Sequence, residues 1–173
     1  AKGGIWIGTR NGGISILKKD RRTFVHLKQD DSKQKGLNNN SIYALLKDRH
    51  DNMWIGTYSG GVNFFSGSSS KFHLYKNDPH DKNSLNNNSV LSIIEDHDGN
   101  LLIATDGGGL NVFDRRLKQF KHIRRGQPGS ITTNHPLDVL EDSEQNIWIG
   151  NFRGGVDVLW KGRTGFENMV LDD

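Results

Sequence analysis

The sequence predicts an all-β fold made of β-propeller blades, and three observations predict it. One cassette, Trp54-Ile55-Gly56-Thr57-Tyr58-Ser59-Gly60-Gly61-Val62, is written four times. Its other copies start at Trp6, Leu102 and Trp148, so the spacing runs 48, 48 and 46 residues. A fixed period in the forties built on strand-like sequence indicates a propeller array. The 173-residue chain is also only 33% hydrophobic yet holds 21 Gly and 8 Phe, which suits many short strands with tight turns.

Each element of a repeat follows from its residues. Ser41 to Asp48 is mostly apolar and predicts a first strand, A, covered on both faces. Arg49-His50-Asp51-Asn52 is turn chemistry. Met53 to Thr57 predicts strand B, Tyr58 to Gly61 a tight turn, and Val62 to Phe65 strand C. A polar connector, Ser66 to Ser70, leads to strand D at Phe72 to Tyr75. These runs have strand length and are too short for helices. Strand A recurs at Val90 to Asp96 and at Leu137 to Asp142, and strand D at Phe24, Phe120 and Phe166. The two-residue shortening falls in Gly126 to Thr132, a surface connection that absorbs length changes more easily than a ladder does.

The Gly pairs are expected to permit positive φ in the B–C turn. The small residue of strand B (Gly8, Gly56, Ala104, Gly150) leaves room for a neighbouring sheet. Trp6, Trp54, Trp148 and the equivalent Leu102 are expected to fill the wedge between blades. The expected organisation is one array over 1–173: a partial blade at 1–30 and blades at 41–77, 89–125 and 135–171. It starts at strand B and ends in strand D, about fifteen strands. Because repeats bury their faces against one another, it reads as a fragment of a larger propeller whose end blades need neighbours.

Composition narrows function. No apolar run approaches the roughly 20 residues of a membrane span, and any signal peptide has been removed or never existed. Without Cys there are no disulfides and no Cys-based zinc sites. The net charge is a mild +3, and the basic groups (Lys18-Lys19 with Arg21-Arg22, Arg115-Arg116 with Lys118, Lys121 with Arg124-Arg125) fall beside the last strand of a repeat. They read as solvated charges blunting a sheet edge rather than as a nucleic-acid footprint.

Motif chemistry is thin. Asp96-His97-Asp98-Gly99-Asn100 resembles the start of a calcium loop, but position 107 is Gly, the flanks are strands, and sibling turns share only the end residues. It reads as a hairpin turn. No phosphate-binding Gly loop, HExxH or GxSxG is present, and the seven His are scattered. Glu95-Asp96 and Glu141-Asp142 are strand neighbours pointing to opposite faces, not a facing carboxylate pair. The segment is therefore expected to be non-catalytic, with no cofactor and no metal.

What remains is the blade end carrying the B–C turns and D–A connections. Its frame repeats, but the tips diverge: Arg10-Asn11, Tyr58-Ser59, Asp106-Gly107 and Phe152-Arg153. Arg10, Asn11, Tyr58, Ser59, Asp106, Phe152 and Arg153 are the candidate ligand-binding residues. Aromatic rings with Asn, Asp and Arg suit polyhydroxylated ligands by CH–π contact and hydrogen bonding. A purely structural role for these tips stays open. The Asn runs 38–40 and 86–88, with Asn134-His135, border the same face and read mainly as turn-shaping residues.

Leu37-Asn38-Asn39-Asn40-Ser41-Ile42, followed by Asp48, Asn52, Trp54-Ile55-Gly56-Thr57 and Gly60-Gly61-Val62, resembles the two-component regulator propeller repeat. Leu85 to Val90, Asp96, Gly99-Asn100 and Gly107 to Leu110 repeat the pattern; Leu102, Ala104 and Asn151 depart from it. The resemblance implies a seven-bladed propeller, needing about 340 residues at this period. It also implies a periplasmic sensor region of a hybrid histidine kinase of the Bacteroides type, detecting oligosaccharides as a homodimer. Implied partners are an oligosaccharide ligand and the remaining blades or a second propeller of the same receptor. No nucleic acid is expected, and the membrane is engaged only through parts outside this sequence. One alternative is a structural or dimerising propeller with the ligand bound elsewhere. Another is an enzyme like the streptogramin lyases, whose similar blades use a metal and a His base.

Overall fold

The computed structural model describes residues 3–29, 36–66 and 71–169. Among the described residues fifteen strands form one three-stranded and three four-stranded antiparallel sheets, and each sheet is ordered as the chain runs. The first sheet holds β1 (Ile5–Thr9), β2 (Gly13–Leu17) and β3 (Phe24–Leu27). The second holds β4 (Ile42–Lys47), β5 (Met53–Thr57), β6 (Val62–Ser66) and β7 (Lys71–Tyr75). The third holds β8 (Val90–Glu95), β9 (Leu101–Thr105), β10 (Gly109–Asp114) and β11 (Gln119–Ile123). The fourth holds β12 (Pro136–Glu141), β13 (Ile147–Asn151), β14 (Val156–Leu159) and β15 (Glu167–Met169). These are propeller blades, the first lacking strand A, as the repeat predicts. Ser66 belongs to β6 rather than to a connector, and the rest of that expected connector lies outside the described residues.

Two expectations need correction. Strand A is not covered on both faces in the second and fourth sheets: in β4 only Ile42 is buried and in β12 only Pro136 and Val139. In β8, by contrast, neighbouring Ser92 and Ile93 are both buried, as is every residue of β5 and β9. Strand A is the edge of its sheet, while B is flanked by A and C. A β-bulge also interrupts β4 between Ile42 and Ala44, and β12 between Pro136 and Asp138. The extra residue of each bulge, Tyr43 or Leu137, turns outward. Phe166 is the second correction: it stands one residue before β15 and packs into the core instead of pairing.

The chain divides into two compact units, 1–76 with 88–90, and 77–87 with 91–173. In the first unit, Ile14 and Ile16 of β2 meet Ile42, Met53 and Ile55 of the second sheet, with Leu37 between. Trp6 lies against Phe65, ring centroids 5.8 Å apart, so it fills the wedge as expected. A Cβ on Gly8 would come within 2.7 Å of Ile42, which is why strand B carries a small residue there. In the second unit, Leu102, Ala104 and Leu110 pack on Val139 and Ile149. Each fully buried Ile or Leu contributes roughly 2 kcal/mol by transfer from water. The equivalent face of β13 is open: nothing lies within 4 Å of a Cβ built on Gly150.

The A–B turns are hairpins closed by their Asp. Asp96 N donates to Asn100 O, and Asn100 N and Nδ2 return bonds to the Asp96 carboxylate at 2.7 and 3.0 Å. Asp48 and Asp142 close their turns alike and also accept the indole N–H of Trp54 and Trp148, at 2.9 and 2.8 Å. Most of the basic residues are exposed, but Arg115 departs from the edge reading. It folds onto the A–B turn, donates from Nε to Gly99 O at 2.7 Å, and pairs with Glu95.

Candidate functional site

The end carrying the B–C turns is built on buried polar pins. In the second sheet Asn38 Nδ2 donates to Gly60 O, and Asn63, 1% exposed, donates to Asn38 Oδ1 at 2.7 Å. In the third, Asn86 Nδ2 donates to Gly108 O, and its backbone N–H donates to Asn111 Oδ1 at 3.0 Å. Thr57 and Thr105 close their own turns onto the carbonyls of Gly61 and Gly109. The two glycines of each pair differ in role. The second takes positive φ (Gly13, Gly61, Gly109, Gly155), as the sequence predicts. The first leaves space for the Asn, since a Cβ on Gly60 would meet Asn38 Nδ2 at 2.6 Å.

The D–A connections then stitch consecutive sheets within each unit. In the first unit Gly13 N donates to Asn40 O, and Gly61 N to Asn88 O, both at 2.8 Å. In the second, Gly109 N donates to Asn134 O at 3.0 Å. The Asn runs are framework, satisfying backbone groups that burial would otherwise leave unpaired.

Against this frame the candidate residues divide. In the first unit Asn11, at φ 65°, accepts a 2.6 Å bond from Ser41 Oγ. Ser59 Oγ accepts from Asn39 Nδ2 at 3.0 Å. Both turn back onto the D–A connection. Tyr58 is 53% exposed, and its ring lies 5.5 Å from that of Tyr43, which the β4 bulge turns outward. Arg10 is exposed beside Asn11. Tyr43 was not among the sequence candidates, because a bulge leaves no mark in the alternation of a mostly apolar strand.

In the second unit His135 draws the tips together. Its Nδ1 lies 2.7 Å from Asp106 Oδ1, and its carbonyl accepts from Phe152 N at 2.9 Å. Phe152 is 53% exposed, and the Arg153 guanidinium sits 5.4 Å from its ring centroid. Arg153 adopts φ 53°, uncommon for a residue with a Cβ. A histidine–carboxylate contact, an aromatic face and a cation thus share one surface, which offers donors, acceptors and a π face to a polar ligand.

At the opposite end of the second unit is a cavity of about 290 Å³ between the A–B turn of the third sheet and the A–B and C–D turns of the fourth. Leu102, Ile147, Leu159 and Trp160 supply apolar walls, and Asp96, Lys161 and Arg163 are among its polar groups. His97 bonds Glu141 twice there, through its backbone N at 2.8 Å and Nδ1 at 2.6 Å. The Glu141 hydrogen bond raises the His97 pKa against the opposing pull of desolvation. The acid pairs are sent apart: Glu95 goes to Arg115, and Asp142 to its own turn. Among the described residues no group of three His, Cys, Asp or Glu is placed to hold a metal ion, and no helix is long and apolar enough to cross a membrane.

Comparison with known proteins supports the repeat reading. Residues 36–59 and 84–107 match the family described as two component regulator propeller. The extracellular domain of a putative hybrid two component system from B. thetaiotaomicron superposes with a TM-score of 0.85 and 20% identity. That match covers 98% of this chain and 23% of the other, so the chain spans under a quarter of that domain. Virginiamycin B lyase from Staphylococcus aureus gives 0.68 at 11% identity, over 98% of this chain and 53% of the lyase. PorZ, a surface component of the type-IX secretion system of Porphyromonas gingivalis, gives 0.61 at 16%, over 84% and 22%. At such identities the shared property is the propeller fold. No curated protein matches the chain.

Proposed function

We propose that this chain, which carries two-component regulator propeller repeats, is a non-catalytic extracytoplasmic sensor segment of a hybrid two-component system. It binds an oligosaccharide at the B–C tips of one of its units and biases two arrangements of a histidine kinase elsewhere in the receptor. The observation that carries this reading is the contrast between a pinned frame and variable tips. Tyr58 with Tyr43 in one unit, and Asp106, His135, Phe152 and Arg153 in the other, are exposed polar and aromatic groups on that frame. Rings of this kind stack on sugar CH faces, and charged groups take hydroxyls. The likeness to an extracellular two-component domain supports the extracytoplasmic placement. Signalling follows if the glycan has different affinity for the two receptor arrangements.

Calorimetry of the intact receptor region against a panel of oligosaccharides tests this. At least one glycan is expected to bind, and Tyr58→Ala or Phe152→Ala to weaken it about tenfold, the loss of one stacking contact. Absence of binding by every glycan, with signalling intact in Tyr58→Ala and Arg153→Ala, would overturn it in favour of a structural or dimerising propeller.

A further inference from the structure

The tip end of the second unit carries more positive than negative charge. Arg153 is exposed, and among the described residues its guanidinium has no hydrogen-bond or ion-pair partner beyond its contact with the Phe152 ring. A second guanidinium is fastened to the neighbouring turn, where Arg124 Nε donates to Gly108 O at 3.3 Å. The two turns are joined through His135, whose carbonyl accepts from Phe152 N and whose Nδ1 lies 2.7 Å from Asp106 Oδ1. A carboxylate only accepts, so Nδ1 carries the proton and Nε2 is left for a hydroxyl. The acids of this end already have donors. Asp106 has His135, Asp138 takes the Ser92 hydroxyl at 2.6 Å, and Asp157 is held by Thr132, Asn151 and Asn168. The connection from Arg124 to His135 contains no acidic residue.

Building on the glycan reading above, we infer that the second unit's tips take an acidic sugar, one whose ring bears a carboxylate or a sulfate ester. The guanidinium fork of Arg153 matches two oxygens of such a group at once. Phe152 beside it stacks on the CH face of the sugar ring. His135 Nε2 accepts from a ring hydroxyl, and Arg124 adds attraction for the anion. The cations of this end are thus partnered by the ligand, since the protein supplies them no acid.

Calorimetric titration of the 173-residue chain separates the charge of the ligand from the presence of a glycan site. The probes are trigalacturonate, triglucuronate, the methyl esters of both, and galactotriose with and without a sulfate ester. At least one acidic probe is expected to bind about tenfold more tightly than its neutral form, the difference made by one charge-assisted pair. Uronate or sulfate, whichever binds more tightly, identifies the anionic group. Arg153→Gln should bring the acid down to the level of its neutral form and leave the neutral form unchanged. Arg124→Gln should weaken the acid by a smaller factor, about threefold. Raising NaCl from about 50 to about 500 mM should weaken the acid and spare the neutral form, a reading that stands even if Arg153→Gln does not fold. Equal, saturable binding of acidic and neutral forms would overturn the charge assignment and leave the glycan reading standing. So would acid affinity that folded Arg153→Gln leaves intact. Absence of saturation by every probe would overturn both.

Discussion

The third and fourth sheets pin their B–C turns at the same two positions with different chemistry: in both the first residue's N–H donates to the second's side chain, but the remaining bonds differ in sense. In the third, Asn86 and Asn111 are neutral amides, and Asn111 Nδ2 donates to Thr105 Oγ1 and Ile103 O at 3.2 and 3.3 Å. In the fourth the pair is Thr132 and Asp157, and Asp157, 1% exposed, only accepts. Its donors are Thr132 N at 2.8 Å, the Thr132 hydroxyl, Asn151 Nδ2 at 2.7 Å and Asn168 Nδ2 at 2.8 Å. Thus Asn151, the departure from the repeat's Thr, changes together with Asp157: a buried carboxylate needs donors where the amide needed acceptors. Asn151 and Asp157 are tied to one another through their hydrogen bond.

Three measurements break or sharpen that comparison. Asp157→Ala should have the largest effect, leaving buried donors without an acceptor and costing about 3 kcal/mol in urea denaturation. A loss below about 1 kcal/mol would show that the fourth sheet does not depend on its carboxylate. Next is Asn111→Asp, which places an acceptor-only group against the Ile103 carbonyl and should cost about 2 kcal/mol. Adding Asn86→Thr and Thr105→Asn, to copy the fourth sheet, should recover about half of that. Simple additivity of the three changes would mean the positions are not coupled.

The smallest effect concerns the A–B turns. The Trp148 indole, with hydrogen bonds from Asn146 and Glu144, holds the Asp142 carboxyl at about 2 against an ordinary 3.8. A group more acidic in the fold than in the unfolded chain binds fewer protons when folded. Its stabilising contribution is therefore full above pH 3.8 and is lost as pH falls through about 2. Trp148→Phe removes the leading cause, and a carboxyl-carbon NMR titration should show the Asp142 midpoint rising towards 3.8. An unchanged midpoint would mean that the backbone bonds alone set it. Asp48 has a similar environment: burial would raise it, but the Trp54 indole and the Asn52 and His50 bonds outweigh that and leave it lowered.

Much of the fold is legible in the residues because turn and strand signals are local. Met53–Thr57 is strand B as read, the Asp-to-Asn turns close as hairpins, and the second Gly of each pair takes positive φ. The shortened connection is also where the repeat places it. There Gly129 packs on Gly165, since a Cβ on Gly129 would lie 2.9 Å from the Gly165 Cα. The candidate site was less legible. Tyr58, Asp106, Phe152 and Arg153 do face outward, yet Asn11 and Ser59 are bonded to Ser41 and Asn39; Tyr43 joins Tyr58 in the first unit, and His135 joins Asp106 and Phe152 in the second. The partners of Ser59, Asn11 and Asp106 lie 20, 30 and 29 residues away in sequence, too far for a local pattern to show the contact.

The sequence by itself determined the blades, their strand order and the end at which the variable tips stand. A period, a turn and an antiparallel order are set by neighbouring residues and by steric limits on the backbone. Tertiary structure alone decided what Leu102 means. As a letter it is a tolerable replacement for Trp in a cassette; beside Leu159 it leaves an unfilled volume. A cavity is a property of what packs across from a residue, and that is settled only when two sheets meet.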